Sequence, residues 1–148
     1  MSPPSNNLPS NKLKDIPIYA QAEETYSIGN IRALLAEIAA RLEKLAGNGE
    51  TGMIDLNSLP LAPGEYEQLR QTLGQGEVSA RIEAIGASEI IETHYPGVWW
   101  VTHYNVEGDI VADTLEITHI PEILKSQPGD IRSGLELLRA QLNDEVQQ

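Results

Sequence analysis

The sequence predicts an α+β protein, a two-layer sandwich in which an antiparallel β-meander is covered on one face by helices, with an additional N-terminal helix. Three observations predict it. Apolar residues recur at helical spacing over residues 28–45, the period falls to two between about 77 and 119, and a helical stripe returns after Pro121. A chain of 148 residues is one domain's worth and can bury a core without disulfides or metal ions.

Residues 1–26, rich in Pro, Ser and Asn, carry too little apolar material to repay the entropy of ordering and read as a flexible tail. Residues 27–47 form an amphipathic helix. Ile28, Ile31, Leu35, Ile38, Leu42 and Leu45 alternate spacings of three and four, and Gly47-Asn48-Gly49 ends the pattern. A glycine-rich linker sets this helix apart from an α+β domain spanning 52–148. Its heptad-spaced stripe is therefore expected to pair with a second copy in a homodimer, the alternative being that it folds back on its own sheet.

The second domain opens with a short apolar run, Met53–Leu56, then a helix from Pro63 to a stop at Gly74, with Glu65 and Glu67 at its electropositive start. Strands follow at about 77–85, 88–95, 98–105 and 109–119, divided by turn signals. The last helix, 128–145, presents Ile131, Leu135, Leu138 and Leu142. It and the helix at 63–73 are expected to cover the meander.

With two-residue turns, Ile82 lies opposite Ile91, Tyr95 opposite Val98 and Tyr104 opposite Val111. One face then holds Ala80, Ile82, Ile91, Val98, Trp100 and Leu115, and needs covering. The other holds Arg81, Glu92, His94, Trp99, His103 and Glu116. The run "PGVWWV" at 96–101 contains both tryptophans of a chain that lacks phenylalanine. Because neighbouring strand residues point to opposite faces, Trp100 enters the core and Trp99 leaves it. Three roles fit an outward Trp99: satellite packing, a partner-binding platform and one wall of a small-molecule site. The partner-binding candidates are Trp99, His94, His103, Glu92 and Glu116.

No catalytic residue, cofactor site or metal site is read from the sequence. His94 and His103 are too far apart along the sheet to share an ion, and no GxGxxG, P-loop or GxSxG pattern occurs. The absence of cysteine removes thiolate nucleophiles and cysteine-held zinc or iron–sulfur sites. Asp113 falls on the apolar face opposite Thr102, where it must find donors, shift its ionisation or sit at an edge open to water. A net charge of −12 argues against nucleic-acid or anionic-membrane partners. Without an apolar signal core or a membrane-length run, the cytoplasm is the expected location.

The segments "GQGEV" at 74–78, "PGVWWV" at 96–101 and "HIPEIL" at 119–124, in this order and spacing, resemble the C-terminal domain of the HupH/HyaF family of hydrogenase expression/formation proteins. The resemblance covers about residues 53–145. It implies a non-enzymatic accessory or chaperone role in maturation of an uptake [NiFe] hydrogenase, with the iron–sulfur small subunit, its precursor or other maturation proteins as partners. Members of that family often carry a longer N-terminal half. From the residues alone, a small-molecule-binding or enzymatic domain with a site around Trp99 stays open beside this reading.

Overall fold

A computed structural model describes the backbone of residues 18–147 and the side chains of residues 29–147. The expected tail lies, over residues 1–17, outside the described residues. Helix α1 runs Ile18–Asn48, starting well before residue 27, and stops where Gly49 turns to φ +77° and donates its N–H to the Leu45 carbonyl at 3.0 Å.

Five strands follow: β1 (Gly52–Asp55), β2 (Ser79–Ala84), β3 (Gly86–Glu92), β4 (Val98–Tyr104) and β5 (Ile110–Ile117). They form one antiparallel sheet in the order β1-β5-β4-β3-β2. The α+β class and the four-strand meander are as expected. The apolar run at Met53 adds the fifth strand, which pairs with β5 at the far edge.

Helix α2 (Pro63–Leu73) begins with proline in its first turn and buries Leu69 and Leu73 completely. Together with α1 it covers one face of the sheet. Leu34, Ile38 and Leu45 of α1 meet Leu69 and Leu73 of α2 over Ile54, Val98, Trp100, Leu115 and Ile117. The stripe expected to pair with a second copy is thus occupied within the chain, and α1 shares one core with the domain it precedes. Glu37 and Arg41, bonded at 3.0 Å, are partly exposed on α1.

Among the described residues, helix α3 (Pro128–Val146) covers no other element: none of its residues is buried. The second covering helix of the sandwich is α1, not the C-terminal helix that the sequence suggested. Both carry a stripe of the same spacing, so periodicity alone could not rank them.

The register differs from expectation in two hairpins. Ile82 faces Ser88, not Ile91, because the chain reverses around Ile85 alone. Gly86 makes this possible, with φ +83° and so little room that a Cβ would lie 2.2 Å from the Tyr104 carbonyl oxygen. This odd shift moves Ala80 and Ile82 to the face opposite Trp100. In the next hairpin Ile91 faces Trp100 and Glu92 faces Trp99, an even shift that keeps the faces of β3 and β4. Trp100 opposite Leu115 matches the expected third register, up to an irregularity at His103/Tyr104 that brings Tyr104 opposite Ile110.

Candidate functional site

Strand alternation does send the two indoles to opposite faces, but both end up buried. Trp100 is 4% and Trp99 5% exposed. After β5 the chain folds back across the outer face as residues 118–124, a strap with Pro121 fully buried and a 3₁₀ turn at Glu122–Leu124. Trp99 donates its Nε1–H to the Thr118 carbonyl at 3.1 Å. With Ile90 and Val101 it forms a second small core against Ala80, Ile82 and Leu124. The expected exposed platform is therefore corrected to a covered one, and the space a small ligand would need beside Trp99 holds Leu124. An outward face marks which side of a strand a residue is on, not whether a later segment returns over it.

Glu92, Trp99 and Glu116 do fall in one cross-strand row, as β3, β4 and β5 bring them side by side. Glu92 is used locally: its Oε1 accepts the Glu77 backbone N–H at 3.1 Å. Glu116 is partly buried and its Oε2 has no hydrogen-bond partner. Burial raises its pKa above the ordinary carboxylate value, Glu122 of the strap adds to the rise, and His103 opposes it. His103 sits on the same face, its Nδ1 2.7 Å from Ser88 Oγ on the neighbouring strand.

His94 does not join them. The turn between β3 and β4 is longer than two residues, so Glu92 takes the place opposite Trp99 that the expected register reserved for His94. The His94 N–H instead donates to the Leu73 carbonyl at 2.7 Å, tying the end of α2 to the sheet. Its exposed ring meets Tyr95 edge-on at 5.9 Å.

The inner face holds the polar network that the sequence left open. Asp113 is 2% exposed. Its Oδ1 accepts from Trp100 Nε1–H at 2.6 Å and from the Thr102 hydroxyl at 2.9 Å, and its Oδ2 from the Tyr66 hydroxyl. Burial first, and the bond to Asp113 second, raise the Tyr66 pKa. The Arg70 guanidinium lies 4.7 Å from the Trp100 ring centroid, a cation–π contact. Every donor around Asp113 is spent on holding α2 and β4 together, which makes this a structural anchor and not a reactive carboxylate. Among the described residues no group of three or more His, Cys, Asp or Glu is placed to hold a metal ion, and no helix is long and apolar enough to cross a membrane.

What sequence reasoning missed is the exposed side of α3. Ile131, Leu135, Leu138 and Leu142 line up along it, each between 45% and 59% exposed. The stripe was visible in the sequence, but its lack of a partner among the described residues was not.

A family model described as the C-terminal conserved region of the HupH hydrogenase expression protein matches residues 28–144. The chain belongs to the HupH family. It is 34% identical over 86 residues to the hydrogenase expression/formation protein HoxQ of Azotobacter vinelandii, covering 58% of this chain and 30% of that one. It is 28% identical over 110 residues to HupH of Rhizobium leguminosarum bv. viciae, covering 74% and 39%. The chain thus spans well under half the length of these curated relatives. A solved HupH structure from Thiobacillus denitrificans matches with a TM-score of 0.76 and 42% identity, over 78% of this chain and 97% of that one. The matched HupH region includes most of α1 and nearly all of α3.

Proposed function

We propose that this chain is a non-enzymatic accessory protein in the maturation of an uptake [NiFe] hydrogenase, acting in the cytoplasm and holding the iron–sulfur small subunit or its precursor. Family membership supports the process. The observation that carries the binding role is the exposed stripe of α3, four aliphatic side chains in line on a helix that buries none of its residues against the described part of the chain. An amphipathic helix of this kind is a common element for laying into an apolar groove of another protein. The lack of cysteine in the chain suits a holder of the subunit better than a carrier of its clusters.

In this reading Trp99 supports the strap from beneath and does not touch the partner directly. Affinity purification of tagged protein from hydrogenase-expressing cells tests the proposal. The small subunit is expected to co-purify with the parent protein and to be lost with a Leu135→Glu/Leu138→Glu variant. Capture by both proteins alike, or by neither, overturns it.

A further inference from the structure

The sheet ends at β2, and no described element covers that edge. The Val78 carbonyl accepts the Glu92 N–H at 2.9 Å, so Val78 turns its backbone carbonyl inward. Alternation along an antiparallel ladder then directs the N–H and C=O groups of Ser79, Arg81 and Glu83 outward, away from β3. Such a row is a template for another strand, and proteins usually blunt it with a proline, a bulge or a protruding lysine. Here Ser79–Ala84 contains no proline and pairs residue for residue with β3. Its one cation, Arg81, is folded back across the sheet onto Glu83 and onto Glu89 at 2.9 Å.

The two sides of this edge differ in chemistry. Val78, Ala80 and Ile82 alternate onto the outer face, where Ala80 and Ile82 flank the Trp99 cluster, and Val78 is 46% exposed. Ile85, at the tip of the adjoining turn, is 95% exposed. On the inner face neither α1 nor α2 packs extensively on β2 among the described residues. A depression of about 570 Å³ lies there, bordered by Arg81, Glu83, Glu89 and Tyr104. Between Gly74 and Glu92 the chain has four acids, Glu77, Glu83, Glu89 and Glu92, against the single base Arg81.

We propose that the free edge of β2 is a strand-addition site for an extended segment of a partner protein in which apolar and basic residues alternate. Its backbone completes the bonds of Ser79, Arg81 and Glu83. Its apolar side chains extend the row of Val78, Ala80 and Ile82, and its lysines or arginines meet Glu83 and Glu89. This pairing of main-chain affinity with alternate-side-chain selection is the logic of β-augmentation. A second copy of this chain fits less well, since each copy brings a net charge of −12 that resists association. The inference does not depend on the partner being a hydrogenase subunit.

Hydrogen exchange with a synthetic nonapeptide of alternating valine and lysine tests it. At a peptide concentration about ten times the Kd, exchange of the Arg81 and Glu83 amides is expected to slow by about tenfold, with the inward Ala80 and Ile82 amides much less affected. The peptide with glutamate in place of lysine is expected to leave all four unchanged. Arg81→Pro, which removes an outward N–H that β3 does not use, is expected to abolish protection while keeping the melting temperature, because edge strands accept proline. Should that variant fail to fold, the amide pattern of the parent protein decides. Equal protection by the glutamate peptide, no protection by the lysine peptide, or concentration-dependent protection without peptide, which would mark a second copy, overturns the proposal.

Discussion

The Trp100 indole N–H reaches Asp113 Oδ1 at 2.6 Å, joining the largest side chain of the inner core to its most deeply buried charge. The Thr102 hydroxyl shares that oxygen and the Tyr66 hydroxyl takes the other. Asp113→Ala therefore strands three donors at once. With each unmet buried donor worth about 1–3 kcal/mol, a loss of roughly 3 kcal/mol or more is expected in urea unfolding. Asp113→Asn is expected to fall between parent and alanine variant, because its amide N–H₂ can turn only one oxygen toward these donors.

Trp99→Ala and Trp100→Ala are both expected to be costly, roughly 3–5 kcal/mol each, as for large-to-small changes at buried aromatics. Thermal melts of the two variants check this. A Trp99 variant that melts like the parent protein would mean that the strap is not fixed over the outer face.

Helices α1 and α3 are expected to respond differently to one introduced charge. Ile38→Glu places an unpaired carboxylate in the core shared by α1 and α2 and is expected to unfold the domain or destabilise it by several kcal/mol, of order 3–5. Leu138→Glu on α3 is expected to change stability by less than about 0.5 kcal/mol, since Leu138 is 57% exposed. Circular dichroism melts of both variants, compared directly, make the test.

Glu116 adds a pH dependence whose sign follows from its burial. Burial raises its folded-state pKa above 4.5, so the protonated form suits the fold better than the ionised one. The stability it contributes is fully present below the unfolded value and is lost as pH rises through the folded one. Glu116→Gln is therefore expected to melt above the parent protein near about pH 7, with the difference vanishing at about pH 4 and below. A variant that melts lower at neutral pH would show that the ionised carboxylate is held by partners after all.

Much of this architecture is legible in local pattern. The stripe at Ile31, Leu35 and Ile38, the stop at Gly74 and the alternation through Trp99 and Trp100 each depend on neighbours a few residues away, and each appears in the structure. What escaped depends on distant parts of the chain. The turn at Ile85 carries no Asn-Gly or Asp-Gly signal, and its tightness rests on Gly86 lying against Tyr104. The burial of Trp99 rests on a strap that begins after β5. Whether α1 or α3 covers the sheet is a competition between two similar stripes, settled by packing that no local window contains. The candidate site was legible only as a row of residue types; its covering and the open β2 edge were not.

The bare stripe of α3 also bears on how the protein stays dispersed. Four aliphatic side chains in line would drive one molecule against another in any neutral protein, yet this chain holds a net charge of −12. Mutual repulsion between like-charged molecules opposes that contact until a better-matched surface arrives. Colloidal stability is thus tied to ionic strength: at about 1 M salt, where the screening length shrinks to about 3 Å, light scattering from the parent protein should rise, while the Leu135→Glu/Leu138→Glu variant stays clear.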